Sequence, residues 1–279
     1  MAAGIFPLPY STSPAAASQR GVTVEIGGIP IFLESHDADF RALLEQRYAG
    51  FVNLAATPSY QFEIRLEPPT QSSGDDARAF KSGSVWRLER GDFRAEWDVR
   101  SRRGWVRQSP NPYSIDSVLR IVHSLVLAEE GGFLVHAASG VRQGRAFVFA
   151  GISGAGKTTM ARLAPPDAAV LTDEISYIRR SKSGYRAYGT PFAGELARVG
   201  VNLSAPLAAF YFLEKGPHGR IEPVGPLAAA RELLRNILFF AQDPALVKRV
   251  FESAVEFVTR VPVARFTFAP DERAWELVG

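Results

Sequence analysis

The stretch that most constrains this chain is Gly151-Ile-Ser-Gly-Ala-Gly-Lys-Thr-Thr159. It fits the phosphate-cradling pattern G-x-x-x-x-G-K-[ST], with Lys157 and Thr158 in the last two places. Ala146-Phe-Val-Phe-Ala150 leads in as a short apolar strand, and Thr158-Thr-Met-Ala-Arg-Leu163 leads out as a helix start. That strand–loop–helix context is what the pattern needs. Glycines let the backbone turn tightly enough for several N–H groups to converge. The helix start adds partial positive charge and Lys157 a full one. Thr158 is placed to offer its hydroxyl to a magnesium ion. The expected phosphate-binding residues are therefore Gly151, Ser153, Gly154, Ala155, Gly156, Lys157, Thr158 and Thr159.

The chain has 279 residues, enough for one large domain or two moderate ones. It has no cysteine, which excludes disulfides and thiolate metal sites. A formal net charge of +3 does not by itself argue for nucleic acid. No apolar run reaches the length of a membrane span. Residues 1–20 are rich in Ala, Ser and Pro and lack a cationic-then-apolar order, so a lead-in segment and a cytoplasmic protein are expected.

Two regions follow, with a boundary expected near residue 110. In 21–110, Val22–Ile26 and Ile29–Leu33 read as strands around Gly27-Gly28. Asp37–Tyr48 reads as a helix, Tyr60–Leu66 as a half-buried strand, and Pro68–Ala77 as a loop. Val85–Gln108 reads as a meander with turns at Gly91-Asp92 and Arg102-Arg103-Gly104. Its seven arginines are interleaved with Glu89, Asp92, Glu96 and Asp98, so a solvated sheet face is expected rather than a nucleic-acid surface.

In 111–279, Ser114 is the expected cap of a helix from Ile115 to about Glu130, ended by Gly131-Gly132. Phe133–Ala138 and Arg145–Ala150 read as strands around Gln143-Gly144. Ala168–Glu174, Ile175–Arg180, Tyr185–Tyr188 and Leu207–Leu213 read as further strands, and Gly219–Val224 as the hairpin partner of 207–213. Pro226 and Pro244 open helices expected over 226–240 and 244–258. Val261–Phe268 reads as a last strand and Asp271–Val278 as a short closing helix.

Two features have the chemistry a phosphate site needs. Asp173 and Glu174 stand at a strand end, 16 residues after Lys157. One carboxylate there can hold magnesium and the other can accept a proton from an attacking hydroxyl. Residue identity does not divide these roles. His136 lies inside an apolar run, where a satisfied core histidine is the common case. Pairing of its strand with 145–150 would instead bring it toward the phosphates.

His136, the loop and Asp173-Glu174 together resemble the HPr kinase/phosphorylase catalytic domain, most of all its stand-alone relatives. The wider superfamily includes ATP-dependent phosphoenolpyruvate carboxykinase. Leu134-Val-His-Ala-Ala-Ser-Gly, Gly189-Thr-Pro-Phe-Ala-Gly-Glu and Val261-Pro-Val-Ala-Arg-Phe-Thr-Phe-Ala-Pro add to the likeness, which covers roughly 115–279. The resemblance implies an α/β fold, a P-loop kinase domain on a mixed sheet; the pattern of 21–110 makes a smaller α+β domain before it. It implies ATP and Mg2+, transfer to a serine or other hydroxyl of a peptide or protein, and catalytic roles for His136, Lys157, Asp173 and Glu174. Thr158 and the acid pair would hold the metal. Glu195 and Arg198 are candidate substrate contacts. A homo-oligomer is admitted, since hexamers occur among HPr kinases.

The chain has Thr158-Thr159 where HPr kinases usually have Ser-Glu, and Asp-Glu where they have Asp-Asp. It lacks their glycine-rich phosphorolysis motif. The resemblance therefore does not carry the reverse reaction, or HPr as substrate, over to this chain. A nucleotide-responsive binding module and a carboxykinase-like small-molecule kinase remain the alternatives.

Overall fold

Short runs of alternating apolar residues closed by glycine turns make β-structure the main framework. The computed structural model describes residues 20–69, 76–196 and 199–278. The lead-in 1–19, part of the 68–77 loop and Arg198 lie outside the described residues.

The first sheet has seven strands in the order β1-β2-β3-β7-β6-β5-β4. They are β1 (Gly21–Ile26), β2 (Ile29–Ser35), β3 (Tyr60–Leu66), β4 (Arg78–Ser82), β5 (Val85–Arg90), β6 (Phe93–Asp98) and β7 (Arg103–Gln108). Gly27 and Gly28 both take positive φ, the two-residue turn that matches strand twist. β2–β3 and β3–β7 are parallel and the other pairs antiparallel. Helix α1 (Ala38–Arg47) is capped by Asp37, whose carboxylate accepts the Phe40 amide.

Four arginines of this sheet have acidic partners among the described residues. Arg65 pairs with Glu63, Arg87 with Glu96, Arg90 with Asp92 and Arg107 with Glu67. Strand β4 was not expected. Its one large apolar residue, Phe80, faces out while small Ala79 faces in, so the alternation reads inverted. The turn after β6 lies at 99–102, with Arg102 at positive φ, rather than at 102–104.

Helix α2 (Pro112–Glu130) starts three residues before the expected Ile115. Asn111, not Ser114, is its cap: the Asn111 side chain accepts the amides of Tyr113 and Ser114, and Pro112 takes the first turn. Its apolar residues are buried nearly all round, because α2 lies between the two sheets. It packs on β7 on one side and on β8 (Phe133–Arg142) and β11 (Ile175–Ser181) on the other.

The second sheet has nine strands and is also mixed. Besides β8 and β11 it holds β9 (Arg145–Ala150), β10 (Ala168–Thr172), β12 (Gly184–Tyr188), β13 (Ser204–Lys215), β14 (Arg220–Pro223), β15 (Ile237–Leu238) and β16 (Val263–Phe268). Long β8 pairs β11 through 133–136 and β9 through 137–142. β9 and β16 flank β13, both parallel to it. With both sides of β13 taken, β14 pairs β16 instead of the expected 207–213. β8, β9, β13, β12 and β11 thus close a ring of pairings.

Helix α3 (Lys157–Arg162) follows the glycine loop and packs on β8 and β9. Helix α4 (Pro226–Asn236) stops before the expected 240, because Ile237 and Leu238 cross to pair with β8. Helix α5 (Pro244–Arg260) and a 3-10 turn (Glu272–Glu276) complete the chain. Among the described residues no helix is long and apolar enough to cross a membrane.

Candidate functional site

One face of β8 places the site. Leu134 belongs to the core under α2, and Ala138 to the core under α3. His136 stands between them on the same face, exposed, and opposite Ile175 in register. A cavity of about 290 Å³ opens there, lined by His136, Ser153, Gly154, Gly156, Lys157, Thr158, Thr159, Asp173, Glu174, Gly194, Glu195 and Lys215.

Most of the sequence candidates therefore share one cavity. Gly151 and Ala155 do not line it. Ala155 is buried against Gly151, and its amide donates to the Ile152 carbonyl. Gly151, Gly154 and Gly156 all take positive φ. At Gly156 a β-carbon would come within 2.6 Å of the Phe268 ring, so the loop admits only glycine there.

Lys157 is buried, 8% exposed. Its ammonium donates to the carbonyls of Gly151 (2.9 Å) and Ile152 (3.2 Å). Burial lowers its pKa, and the Glu195 carboxylate pulls it back up. His136, though solvent-accessible, is also pushed below the ordinary histidine value, first by partial burial and then by the charges of Lys157 and Arg120.

β10 ends at Thr172, two residues earlier than expected. The Thr172 hydroxyl oxygen accepts the amides of Glu174 and Ile175, turning the chain sharply. Asp173 and Glu174 thereby escape the strand rule that adjacent residues face apart, and both line the cavity. Their surroundings differ. Asp173 is 5% exposed and accepts the amides of Gly194 (3.0 Å) and Leu196 (2.9 Å), one on each oxygen. It holds the Thr190–Leu196 loop. Glu174 is partly exposed and pairs with Arg120 at 3.2 Å. Burial raises its pKa, and Arg120 works against that rise.

Arg120 and Lys215 were missed in the sequence. Arg120 lies one helical turn after Asp116, which accepts from Arg47 and Tyr48 of the first region. Its guanidinium also lies 5.0 Å from the Phe192 ring centroid. Nothing local marks it. Lys215 ends β13, and a signal was available: in open α/β sheets ligands gather beyond the carboxyl ends of parallel strands.

Among the described residues no group of three or more His, Asp or Glu side chains is placed to hold a metal ion. Thr158, Asp173 and Glu174 supply hard oxygen donors. That set suits magnesium, which usually takes one or two carboxylates and completes its shell with water and phosphate oxygens.

No curated protein matches the chain. One family profile, described as SynChlorMet cassette protein ScmC, matches residues 111–278. That match covers more than half of the chain, from the cap of α2 through the loop, the acid pair and the last strand, and the chain belongs to this family.

Proposed function

We propose that the cavity binds the triphosphate of ATP and that the protein transfers its terminal phosphoryl group to a serine or other hydroxyl of a peptide or protein. One observation carries the reading: His136, Lys157, Thr158, Asp173 and Glu174, far apart in sequence, line one cavity with the glycine loop. The likeness to the P-loop kinase domain of HPr kinases supports the same chemistry.

Lys157 would leave the two loop carbonyls for the phosphate oxygens, which outbid neutral carbonyls for an ammonium. The loop amides hold the phosphate tail. Thr158 and Asp173 would hold Mg2+, which when bound neutralises charge on the phosphates. Glu174 is the better base: Asp173 is fixed by two loop amides and turned to the metal, while burial raises the basicity of Glu174. The acceptor hydroxyl oxygen bonds to the terminal phosphorus, and its proton passes to Glu174. The bond from that phosphorus to the bridging oxygen breaks, and its electron pair leaves with ADP. His136, held neutral, can donate or accept one hydrogen bond at the acceptor. Positioning and charge supply most of the rate in such transfers.

A binding module that takes up nucleotide without transfer is the second reading. The lysine already satisfied by its own loop favours it. The test is purified protein with magnesium and γ-labelled ATP, plus the small peptides encoded beside its gene, read by intact mass. Transfer that disappears in Lys157→Ala and Glu174→Gln is expected. Transfer that survives in both overturns the mechanism, and ATP binding without transfer selects the second reading.

A further inference from the structure

Three parallel strands end together beside the glycine loop. β9 runs into Gly151, β13 ends at Lys215 and β16 ends at Phe268. Register fixes their offsets: Ala150 lies opposite Phe212, and Phe268 opposite Lys215. One contact ties the end of β13 to the loop, and a second ties the end of β16 to it. A β-carbon at Gly151 would lie 3.5 Å from the Leu213 carbonyl oxygen, and the Phe268 ring lies directly under Gly156. Gly216 donates its amide to the Phe268 carbonyl at 3.1 Å, which anchors the chain just past Lys215.

Lys215 shares a strand face with Leu213, the face that carries the loop and α3. It lines the same cavity as Lys157 and Thr158. Its neighbour Glu214 is taken by Arg265. Among the described residues the Lys215 ammonium has no hydrogen bond or ion pair, whereas Lys157 is bonded to two carbonyls. The acids enter from elsewhere, on the corner between β10 and β11. Glu195, from the 190–196 loop, also lines the cavity and acts on Lys157. Unpartnered positive charge stands on the β13 side, and His136, Glu174 and Arg120 stand on the β8–β11 side.

We propose that Lys215 is a second phosphate-binding cation of the donor site, which grips the polyphosphate from the β13 side and directs its terminal group toward His136 and Glu174. This rests on the reading of the cavity as a triphosphate site. A flexible ammonium suits the role, because it meets phosphate as a point charge without the fixed fork of arginine.

The test is equilibrium binding of ATP and of tripolyphosphate to the full chain by calorimetry. Wild type is compared with Lys215→Met, Lys215→Arg and Lys215→Glu. The side chain is exposed, so all three variants are expected to fold, with circular dichroism as the check. Lys215→Met is expected to bind both probes about tenfold more weakly. Lys215→Arg is expected to keep most of the affinity, and Lys215→Glu to bind more weakly than Lys215→Met. Equal affinity in wild type and Lys215→Met, or Lys215→Glu binding as well as Lys215→Met, overturns the role of Lys215 and leaves the cavity reading standing. Wild type that binds neither probe overturns the cavity reading, and this inference falls with it.

Discussion

Arg120 Nη2 lies 3.2 Å from Glu174 Oε2, across 54 residues of sequence. The contact joins α2, the helix between the two sheets, to the acid at the cavity wall. The guanidinium also covers the Phe192 ring, so one side chain steadies both the acid and the 190–196 loop. Arg120→Met is expected to lower kcat for transfer about tenfold or more, with KM for ATP little changed, because the aim of Glu174 matters to the reacting hydroxyl and not to the donor. Arg120→Lys should regain part of the rate, since it restores charge without the planar fork. The pair is 25% and 32% exposed, so its loss should cost only about 1 kcal/mol of stability. Unchanged kcat in Arg120→Met would show that Glu174 needs no such partner.

His136 and Lys157 are coupled through charge. A cation nearby disfavours a second one, so Lys157 holds the imidazole neutral to lower pH. An NMR titration of the four histidines should find His136 with a midpoint below about 6.5. In Lys157→Met the midpoint should rise, because one of the causes of its depression is removed. A midpoint that stays put would mean that burial and Arg120, not Lys157, set the value.

The gathering of the candidate residues was legible where residue type is set beside a strand end. Lys157 and Thr158 follow the loop after β9, and Asp173 and Glu174 follow β10 directly. The different surroundings of the two acids were not legible, because they depend on Gly194 and Leu196 donating to Asp173 alone. Arg120 was hidden for a similar reason. Within α2 only the apolar spacing is readable, and the side chain's partner is a tertiary matter. Lys215 needed strand direction, which follows from β13 running parallel to β9. The missed pairing of β14 has the same origin: hairpin logic favours the nearest strand, but β13 had no free side.

Gly194 makes a test of how tightly the acid pair is packed. A β-carbon there would come within 2.8 Å of the Glu174 β-carbon and 3.0 Å of Asp173 Oδ2. Gly194→Ala must push the loop or the acids aside, which should cost about 1–3 kcal/mol, as overpacking does. Because the displaced atoms are the acids themselves, transfer should fall further than stability does. Thermal unfolding and the transfer assay, run side by side, check this. A variant with lowered Tm and wild-type transfer would detach the acid pair's position from the chemistry.

His123 links folding to pH. It lies on α2, fully buried, with Nδ1 3.2 Å from the Tyr177 hydroxyl and with Nε2 lacking a partner among the described residues. The Tyr177 ring in turn lies against Gly27, the turn of the first hairpin. Burial, helped by the charge of Arg179, lowers the pKa of His123 to about 3. The unfolded chain binds that proton at about 6.5. Between these values the unfolded state carries a proton that the folded state refuses, so stability falls as pH falls. The expected slope from this one group is about 1.4 kcal/mol per pH unit, beginning just below 6.5. His123→Asn keeps a polar group near Tyr177 and removes the titration. Urea unfolding at several pH values between 7.5 and 4.5 should therefore show a shallower loss of stability in His123→Asn than in wild type. Parallel curves would mean that His123 takes up its proton in the folded protein, and that the contact between Tyr177 and the first hairpin loosens to admit it.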